Sequence, residues 1–356
     1  CSSDLLIAKG VFRPLPYRAF PAEALPDALK WMQRARHIGK VIVEAPVNAA
    51  AHLPRAMPVR KDAAYLVVGG LEGFGLETAR WLADRGAGRI VLASRRGSDA
   101  PDAETAIADL AARGAKASVV RLDVTDARAV ERLVQRLDGK KRPLKGVIHA
   151  ATLYADGLAA EMSIEQFASA VRVKADGAAA LDAATRALAA DGRALDFFIL
   201  YSSATTLLGN PGQANYVAAN AAVEAIAEAR AKDGLPALAV AWGPIADTGA
   251  LQRQAAVAEH LERHLGRPAM PPRKALDLLD GLWASGEPSP VVLDVDWRAL
   301  SVRSLAPARF EAVAPSRDNE GGADFLALIA DLEEADARDV LAELIAEKVA
   351  EVLGMT

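Results

Sequence analysis

The feature that most constrains the fold is a regular alternation of short apolar runs with longer amphipathic segments between residues 63 and 303. Seven runs are apolar along almost their whole length, which is typical of parallel strands buried on both faces. They are Tyr65–Val68, Arg89–Ala93, Ser118–Leu122, Gly146–His149, Asp196–Tyr201, Ala237–Trp242 and Val291–Leu293. Helical spacing of apolar residues fills the intervals. The sequence therefore predicts an α/β fold, a Rossmann-like doubly wound parallel sheet of about seven strands.

Composition and charge exclude several classes of function. Apolar residues make up 52% of the chain, charged residues 25%, and the net charge is −4. Without a basic cluster or a long apolar run, the sequence predicts no nucleic-acid partner and no membrane insertion. The five histidines are scattered, so no metal site is predicted. The single cysteine, Cys1, excludes an internal disulfide and favours a reducing compartment, the cytoplasm.

A glycine-rich turn follows the first predicted strand. It reads Gly69-Gly70-Leu71-Glu72-Gly73-Phe74-Gly75 and opens a helix. Glycines allow the backbone to approach a pyrophosphate, and the amides at a helix N-terminus stabilise its charge. A tight strand-to-helix turn without a ligand would also explain the pattern. We predict a dinucleotide site in which Gly69, Gly70, Gly73, Phe74 and Gly75 contact the cofactor.

The end of the second predicted strand indicates which nicotinamide cofactor is bound. Enzymes that use NAD place an acidic residue there, whereas this chain has Ser94, Arg95 and Arg96. An arginine suits the 2′-phosphate of NADPH, and Arg95 lies nearer the strand than Arg96, which could be a solvated surface charge. Asp123 and Val124, after the third strand, could bracket the adenine. NADPH is therefore favoured over NADH.

Four polar residues form a candidate catalytic group. Tyr216 follows Ser203 by thirteen residues, and Asn220 lies one helical turn beyond Tyr216. A tyrosine can protonate an alkoxide as hydride arrives, but a phenol with a pKa of about 10 needs a nearby cation near neutral pH. Lys174 is the candidate cation, and the Ser203 hydroxyl can hold a substrate carbonyl. Individually, a core tyrosine, a capping serine and a solvated lysine would explain the same residues.

Together these motifs resemble the short-chain dehydrogenase/reductase superfamily and, within it, the ketoreductase domains of reducing polyketide synthases. Tyr216 and Asn220 form Y-x-x-x-N in place of the usual Y-x-x-x-K, with Lys174 on an earlier helix. The other matching stretches are Leu92–Gly97, His149–Ala151, Tyr201–Ser203, Gln213–Asn220 and Ala241–Pro244.

The resemblance implies a function and a set of site residues. It implies NADPH-dependent reduction of a β-ketoacyl thioester to a β-hydroxyacyl thioester by a tetrad of Lys174, Ser203, Tyr216 and Asn220. It adds cofactor contacts at His149, Ala150, Ala151, Pro244 and Thr248. The implied partner is an acyl carrier protein whose phosphopantetheine bears the substrate, beside enoylreductase, dehydratase and ketosynthase domains.

Some positions bear on stereochemistry. One ketoreductase type has an L-D-D motif, of which Asp156 is the part retained here, and the opposite type has tryptophan where this chain has Leu208. Pro211 and Asn215 also match the first type, and Gln213 belongs to the same substrate-side group. The resemblance thus favours a D-configured hydroxyl. Three departures from the family pattern are Val68, Glu72 and Thr152, and the charge of Glu72 must point away from a bound pyrophosphate.

The remaining segments suggest neighbouring synthase domains. Residues 1–45 resemble the C-terminal end of an enoylreductase domain, 46–62 and 304–333 are predicted linkers, and 334–356 resemble the first helix of an acyl carrier protein. A private N-terminal extension and an oligomerisation helix are the alternatives. The order predicts a fragment of a longer synthase that lacks the half-domain preceding the enoylreductase, so part of the sheet would be uncovered. Residues 245–267 are the predicted substrate lid.

Two other functions remain open from the sequence. One is a free-standing short-chain dehydrogenase that acts on a small alcohol, against which the synthase-like flanks and Y-x-x-x-N argue. The other is a catalytically silent ketoreductase-like domain that only organises a synthase. The complete tetrad argues against this second alternative, while Glu72 and Thr152 favour it.

Overall fold

The computed structural model describes residues 17–34, 40–44, 56–246, 262–263 and 265–297. The chain divides into two compact units, residues 1–56 and residues 57–356. The predicted linker 304–333, the carrier-like segment 334–356, Thr248 and most of the predicted lid lie outside the described residues. Within the described part, no helix is both long and apolar enough to cross a bilayer.

The first unit contains a short β-α-β arrangement. Strand β1 (Tyr17–Pro21) pairs in parallel with β2 (Lys40–Glu44), and helix α1 (Leu25–Gln33) connects them after a 3₁₀ turn at Ala22–Ala24. The guanidinium of Arg18 lies 4.2 Å from the centroid of the Trp31 ring. This small unit buries Ala28 and Phe20.

The second unit is a seven-stranded sheet in which every neighbouring pair is parallel, in the order β5-β4-β3-β6-β7-β8-β9. The strands are β3 (Ala64–Val68), β4 (Arg89–Ser94), β5 (Lys116–Arg121), β6 (Leu144–His149), β7 (Phe197–Ser203), β8 (Leu238–Trp242) and β9 (Val291–Val292). The helices are α2 (Gly73–Asp84), α3 (Ala103–Ala112), α4 (Ala127–Leu137), α5 (Ile164–Val171), α6 (Gly177–Ala190), α7 (Thr205–Leu208), α8 (Ala214–Lys232), α9 (Pro272–Asp277) and α10 (Leu279–Ser285), with a 3₁₀ turn at Gly97–Asp99. The predicted doubly wound sheet is confirmed.

The sheet is buried on both faces because its central strands are apolar throughout. In β3, Tyr65 and Val67 face one core layer, and Leu66 and Val68 face the other. The edge strand β5 differs, since none of its residues is fully buried. The strand order reverses between β3 and β6, and ligands of such sheets bind beyond the carboxyl ends of the strands at this point.

The second unit begins before the predicted domain boundary at residue 63. Met57, placed by the sequence in the linker 46–62, is 2% exposed, and its amide donates to Asp280 Oδ1 at 2.9 Å. Tyr65 reaches back toward the same segment, because its hydroxyl accepts from the Arg60 amide. The compact unit therefore starts at Met57, six residues upstream of Ala63.

A buried arginine joins α8, which carries Tyr216 and Asn220, to α6, the helix that begins after Asp176. Arg230 on α8 is 1% exposed and donates to Asp182 Oδ1 and Thr185 Oγ1 on α6, at 2.5 and 3.0 Å. Its guanidinium also lies 4.0 Å from the centroid of the Phe198 ring. Leaving such a charge without its partner costs several kcal/mol, roughly 3–5, so the contact sets how α6 and α8 pack.

Candidate active site

A π-helical turn separates α5 from α6 and places Lys174. The sequence predicts an uninterrupted helix here, but residues Arg172–Asp176 form a π turn, a feature often found at functional sites. The His149 Nε2 lies 3.2 Å from both the Val173 and the Lys174 carbonyl oxygens, so this nitrogen carries the proton and donates. Burial, together with the charge of Lys174, lowers the pKa of His149 to about 4. The ring is therefore neutral and holds the π turn.

Lys174 is a buried cation. Its side chain is 3% exposed, and Nζ donates to the Tyr201 carbonyl oxygen at the end of β7. The same Nζ lies 5.5 Å from the centroid of the Tyr216 ring. Burial lowers the pKa of Lys174 to about 7, and the negative charge of Glu224 opposes that shift. The amine therefore lies over the face of the Tyr216 ring.

Helix α8 presents Tyr216 and Asn220 one turn apart. The Asn220 Nδ2 donates to the Tyr216 carbonyl oxygen at 2.8 Å. Its Oδ1 is buried and has no hydrogen-bond partner among the described residues, so an acceptor is available for another donor. At the start of the helix, buried Asn215 donates to the Ala155 carbonyl oxygen at 2.7 Å and accepts from the Tyr216 amide. Asn215 thus fixes the helix to the loop after β6.

Ser203 ends β7, two residues beyond the carbonyl that accepts from Lys174. It is 9% exposed, and its Oγ accepts from the Thr205 amide at 3.3 Å. The structure places the Lys174 amine over the Tyr216 ring, bonds Asn220 to the Tyr216 carbonyl oxygen, and places Ser203 on the strand end to which Lys174 is bonded. All four come from three different elements that meet at the carboxyl edge of the sheet.

The glycine-rich turn is built as a close-packed loop. Gly69 and Gly73 have φ of +79° and +55°, a region that side chains disfavour. A Cβ at Gly75 would lie 2.1 Å from the Gly69 carbonyl oxygen, and a Cβ at Gly70 would lie 2.9 Å from Val67 Cγ1. A side chain at Gly75 would clash with the backbone, and side chains at Gly69 and Gly73 would be strained, so the turn that leads into α2 favours glycine.

The ring of Phe74 points into the protein. It stacks on Tyr201 with ring centroids 5.0 Å apart and meets Trp242 edge-on at 5.3 Å. The partly buried side chain anchors the turn to the core.

The ends of β5 and β6 border the same turn. A Cβ at Gly69 would lie 2.6 Å from the Ala151 nitrogen, and the Ala150 amide donates to the Val68 carbonyl oxygen at 2.8 Å. Val124, which follows β5, is buried, and a Cβ added at Gly177 in α6 would lie 2.8 Å from Val124 Cγ1. Val124 therefore packs against the helix that continues from the π turn.

Charged residues collect beyond β4 and β5. Hydrogen bonds from the Thr125 amide and hydroxyl lower the pKa of Asp123, and the charge of exposed Arg95 adds a smaller contribution in the same direction. Arg96 forms an ion pair with Glu72 at 3.8 Å. The Glu72 carboxylate, expected to turn away from a pyrophosphate, is thus directed toward Arg96, with 67% of the side chain exposed. Ser94 Oγ accepts from the Gly97 amide at 3.0 Å.

These groups fit a phosphorylated dinucleotide. The glycine turn is a cradle that a Cβ would fill, the N-terminal amides of α2 border it, and Arg95 supplies an exposed positive charge beside the end of β4. NADPH is a ligand of matching chemistry.

The residues predicted to contact substrate fall into two places. Gln213 Nε2 donates to Asp156 Oδ2 at 2.9 Å, and Asn210 donates to Gln213 Oε1 at 2.7 Å. Leu208, in contrast, packs in a small apolar cluster around Leu265. Pro211 is exposed in the same loop as Gln213. The structure joins Asp156 and Gln213 by a hydrogen bond and places Leu208 in a different cluster.

After β8, Pro244 accepts a hydrogen bond through its carbonyl oxygen from the Met270 amide at 2.8 Å. This contact fixes the first residues of the predicted lid, of which Ile245 is buried. The lid beyond residue 246, with Thr248, lies almost entirely outside the described residues.

Two residues beside the site were not predicted from the sequence. The Tyr154 ring lies 5.2 Å from the Tyr216 ring, centroid to centroid. Glu224 accepts hydrogen bonds from Ser202 and Thr206 on either side of Ser203. The spacing of Tyr216, Asn220 and Glu224, at intervals of four along a helix, was the signal that could have identified Glu224.

Comparison with known proteins gives consistent matches. A family model described as the KR domain matches residues 63–247. The polyketide synthase GfsA of Streptomyces halstedii is 38% identical over 334 residues, which are 90% of this chain and 4% of GfsA. A solved A1-type ketoreductase is 33% identical with a TM-score of 0.64, over 74% of this chain and 53% of that one. The ketoreductase from the first module of phoslactomycin biosynthesis in Streptomyces sp. HK803 is 34% identical with a TM-score of 0.63, over 74% of this chain and 58% of that one.

Proposed function

The chain belongs to the KR domain family, the ketoreductase domains of polyketide synthases, and on that premise we propose that it reduces a β-ketoacyl thioester to a β-hydroxyacyl thioester with NADPH. The observation that carries the proposal is the buried amine of Lys174 beside the face of Tyr216, at the strand end that displays Ser203. A cation is costly to bury, so its position against a phenol favours a catalytic use of both.

NADPH supplies the hydride when it is bound. The hydroxyls of Ser203 and Tyr216 donate hydrogen bonds to the substrate ketone and so favour the negative charge that develops on its oxygen. Tyr216 then gives its phenolic proton to this oxygen, which completes the alcohol. The Lys174 ammonium stabilises the negative charge that grows on the Tyr216 oxygen as the proton leaves.

Asn220 has a supporting role in this scheme. Its buried Oδ1 has no partner among the described residues and can accept from Lys174 or from a water that returns a proton to Tyr216.

The cofactor would be held by the turn Gly69–Gly75 and by the ends of β4, β5 and β6. The glycine turn and the α2 amides suit the pyrophosphate, Arg95 suits the 2′-phosphate, and Ser94, Asp123 and Val124 border the adenosine side. The backbone of Ala150 and Ala151, His149 through the π turn, and Pro244 and Thr248 after β8 complete the proposed nicotinamide side.

The substrate would arrive on the phosphopantetheine of an acyl carrier protein, within a synthase that also carries enoylreductase, dehydratase and ketosynthase domains. We extend the proposal to a D-configured hydroxyl, because Asp156, which bonds to Gln213, is retained from the L-D-D motif and Leu208 stands where the opposite type has tryptophan. The proposal also keeps the expected cytoplasmic location, which the single cysteine favours.

The test is NADPH oxidation with a β-ketoacyl-pantetheine thioester by the 356-residue chain and its Tyr216→Phe variant. We expect kcat to fall by at least about a hundredfold, because the variant lacks the general acid. Tyr154→Phe, which removes a hydroxyl from the neighbouring ring, is the matched control and should lose much less. Equal rates for Tyr216→Phe and wild type would refute the assigned role, and chiral chromatography of the product tests the configuration.

The same assay separates the alternatives. A free-standing alcohol dehydrogenase would turn over a simple ketone as well as the thioester. A silent structural domain would show no change in NADPH fluorescence on titration with protein.

A further inference from the structure

Glu224 lies on α8 one turn beyond Asn220 and two turns beyond Tyr216, on the helix face directed at β7. Its half-buried carboxylate accepts from the Ser202 hydroxyl, and the Thr206 hydroxyl lies 3.0 Å from the same oxygen. Bonds to a charged acceptor are about twice as strong as neutral ones. The carboxylate therefore joins α8 to the turn between β7 and α7.

The two hydroxyls flank Ser203 in the chain. Ser202 immediately precedes it, and Thr206 follows by three residues, with its Oγ1 also 3.0 Å from the Ser203 carbonyl oxygen. Neither hydroxyl belongs to the proposed tetrad. Their shared acceptor restrains the backbone on both sides of Ser203, and hence the direction of its hydroxyl.

Glu224 and Lys174 are bonded to adjacent residues of β7: Lys174 donates to the Tyr201 carbonyl oxygen, and Ser202 donates to the Glu224 carboxylate. The titratable groups around the Lys174 side chain come from two elements: Tyr216 and Glu224 from α8, and His149 from β6. Burial and the charge of Lys174 keep His149 neutral, and Tyr201 offers Lys174 its backbone carbonyl while its phenol bonds to Thr78. Among these groups Glu224 supplies the negative charge that favours an ammonium ion in this buried position.

We propose that Glu224 is a positioning residue for the reduction: its carboxylate fixes the turn that carries Ser203 and supplies the counter-charge of the Lys174 ammonium. This inference rests on the proposed function for its effect on turnover. It adds a carboxylate to the tetrad. Tyr216, Asn220 and Glu224, on one face of α8, would then all serve the same site.

The first arm of the experiment is a pH profile of kcat/KM for NADPH oxidation by wild type and Glu224→Gln. Glutamine keeps an acceptor oxygen for the two hydroxyls but removes the charge. We expect the alkaline limb of the profile to move to lower pH by about one unit, as for loss of an opposite charge nearby. Glu224→Asp should restore most of the shift, and Glu228→Gln, which neutralises an exposed carboxylate one turn further along α8, should follow the wild-type profile.

The second arm does not depend on turnover. The ¹³Cε chemical shift of Lys174, assigned with a Lys174→Met variant, is followed against pH in protein labelled at lysine. Its midpoint should fall by about one unit in Glu224→Gln and stay in place in Glu228→Gln.

Thr206→Val tests whether the turn after β7 positions Ser203, and it leaves every charge in place. This variant keeps the proposal testable if Glu224→Gln fails to fold. It removes one donor to the carboxylate, and kcat should fall several-fold at every pH with the limb unmoved.

If Glu224→Gln and wild type had the same pH profile of kcat/KM and the same Lys174 titration midpoint, Glu224 would not be the counter-charge of Lys174. If kcat were unchanged in Thr206→Val, the bonded turn would not position Ser203. If the wild type oxidised no NADPH, the proposed function would fail, while the Lys174 midpoint would still decide whether Glu224 supplies the charge.

Discussion

The nucleotide side and the catalytic side of the proposed cleft are formed by different kinds of groups. The nucleotide side consists of the backbone of Gly69–Gly75 and of exposed charges, with Arg96 and Glu72 more than half exposed. The catalytic side consists of buried polar groups, with His149, Lys174 and Asn220 at most 3% exposed. The first depends on local geometry and the second on contacts between distant segments.

The difference has an energetic consequence. An exposed ion pair such as Arg96–Glu72 contributes about 0–1 kcal/mol, because water screens it. A buried polar group that loses its partner costs roughly 1–3 kcal/mol, and more when it is charged. Substitutions on the catalytic side should therefore affect turnover and folding together, whereas exposed charges on the nucleotide side should affect only cofactor affinity.

The largest expected effect tests the catalytic side. Lys174→Met should lower kcat by at least about a hundredfold, because the proton transfer loses its cation. Burial disfavours the ammonium form and brings the pKa of Lys174 down to about 7, so the ammonium population falls as the pH rises through 7. Wild-type kcat/KM for reduction should then decline above about pH 7, and Lys174→Met should lack this decline. Lys116→Met, at an exposed site on β5, is the control, and a wild-type rate that stays flat to pH 9 would contradict the assignment.

The next effect tests the backbone of the nucleotide side. Gly75→Ala places a methyl group 2.1 Å from the Gly69 carbonyl oxygen, so the turn must open. We expect the NADPH Kd, from fluorescence titration, to rise at least about tenfold, and the protein to lose roughly 1–3 kcal/mol of stability. Gly281→Ala is the matched control, since nothing lies within 4 Å of its Cβ position. If both variants bound NADPH equally well, the close packing of the turn would have no bearing on the cofactor.

The smallest effect concerns the exposed charges. Arg95→Ala should raise the KM for NADPH about tenfold, with kcat and the KM for NADH unchanged, as for loss of one charge-assisted contact to a phosphate. Arg96→Ala should change either KM by less than about threefold, because Arg96 lies toward Glu72. The reverse ranking of the two arginines would assign the 2′-phosphate to Arg96.

Several features of the site were predictable from the sequence because they depend only on neighbouring residues in the chain. The glycine turn, the arginines after β4 and the pair Tyr216 and Asn220 are each defined within a few residues, by φ, by the end of a strand or by helical spacing. The seven apolar runs likewise predicted the sheet, since only strands buried on both faces need such a composition.

Other features required contacts between segments far apart in the chain. The π turn at Arg172–Asp176 is held by His149, which lies at the end of strand β6. No local sequence pattern predicts this turn. The ring of Phe74 packs against Tyr201 and Trp242, which come from β7 and β8, and no local pattern indicates these partners. Glu224 has its partners across the turn after β7.

By itself, the sequence determined the α/β sheet, the glycine turn and the helical spacing of Tyr216 and Asn220, because periodicity and backbone conformation are local properties. Only the tertiary structure decided that Lys174 is buried beside the Tyr216 ring, that Glu224 accepts from Ser202 and Thr206, and that Arg96 lies toward Glu72. The electrostatic energy of a charge depends on its burial and on partners from other elements, and these are set when the helices pack on the sheet.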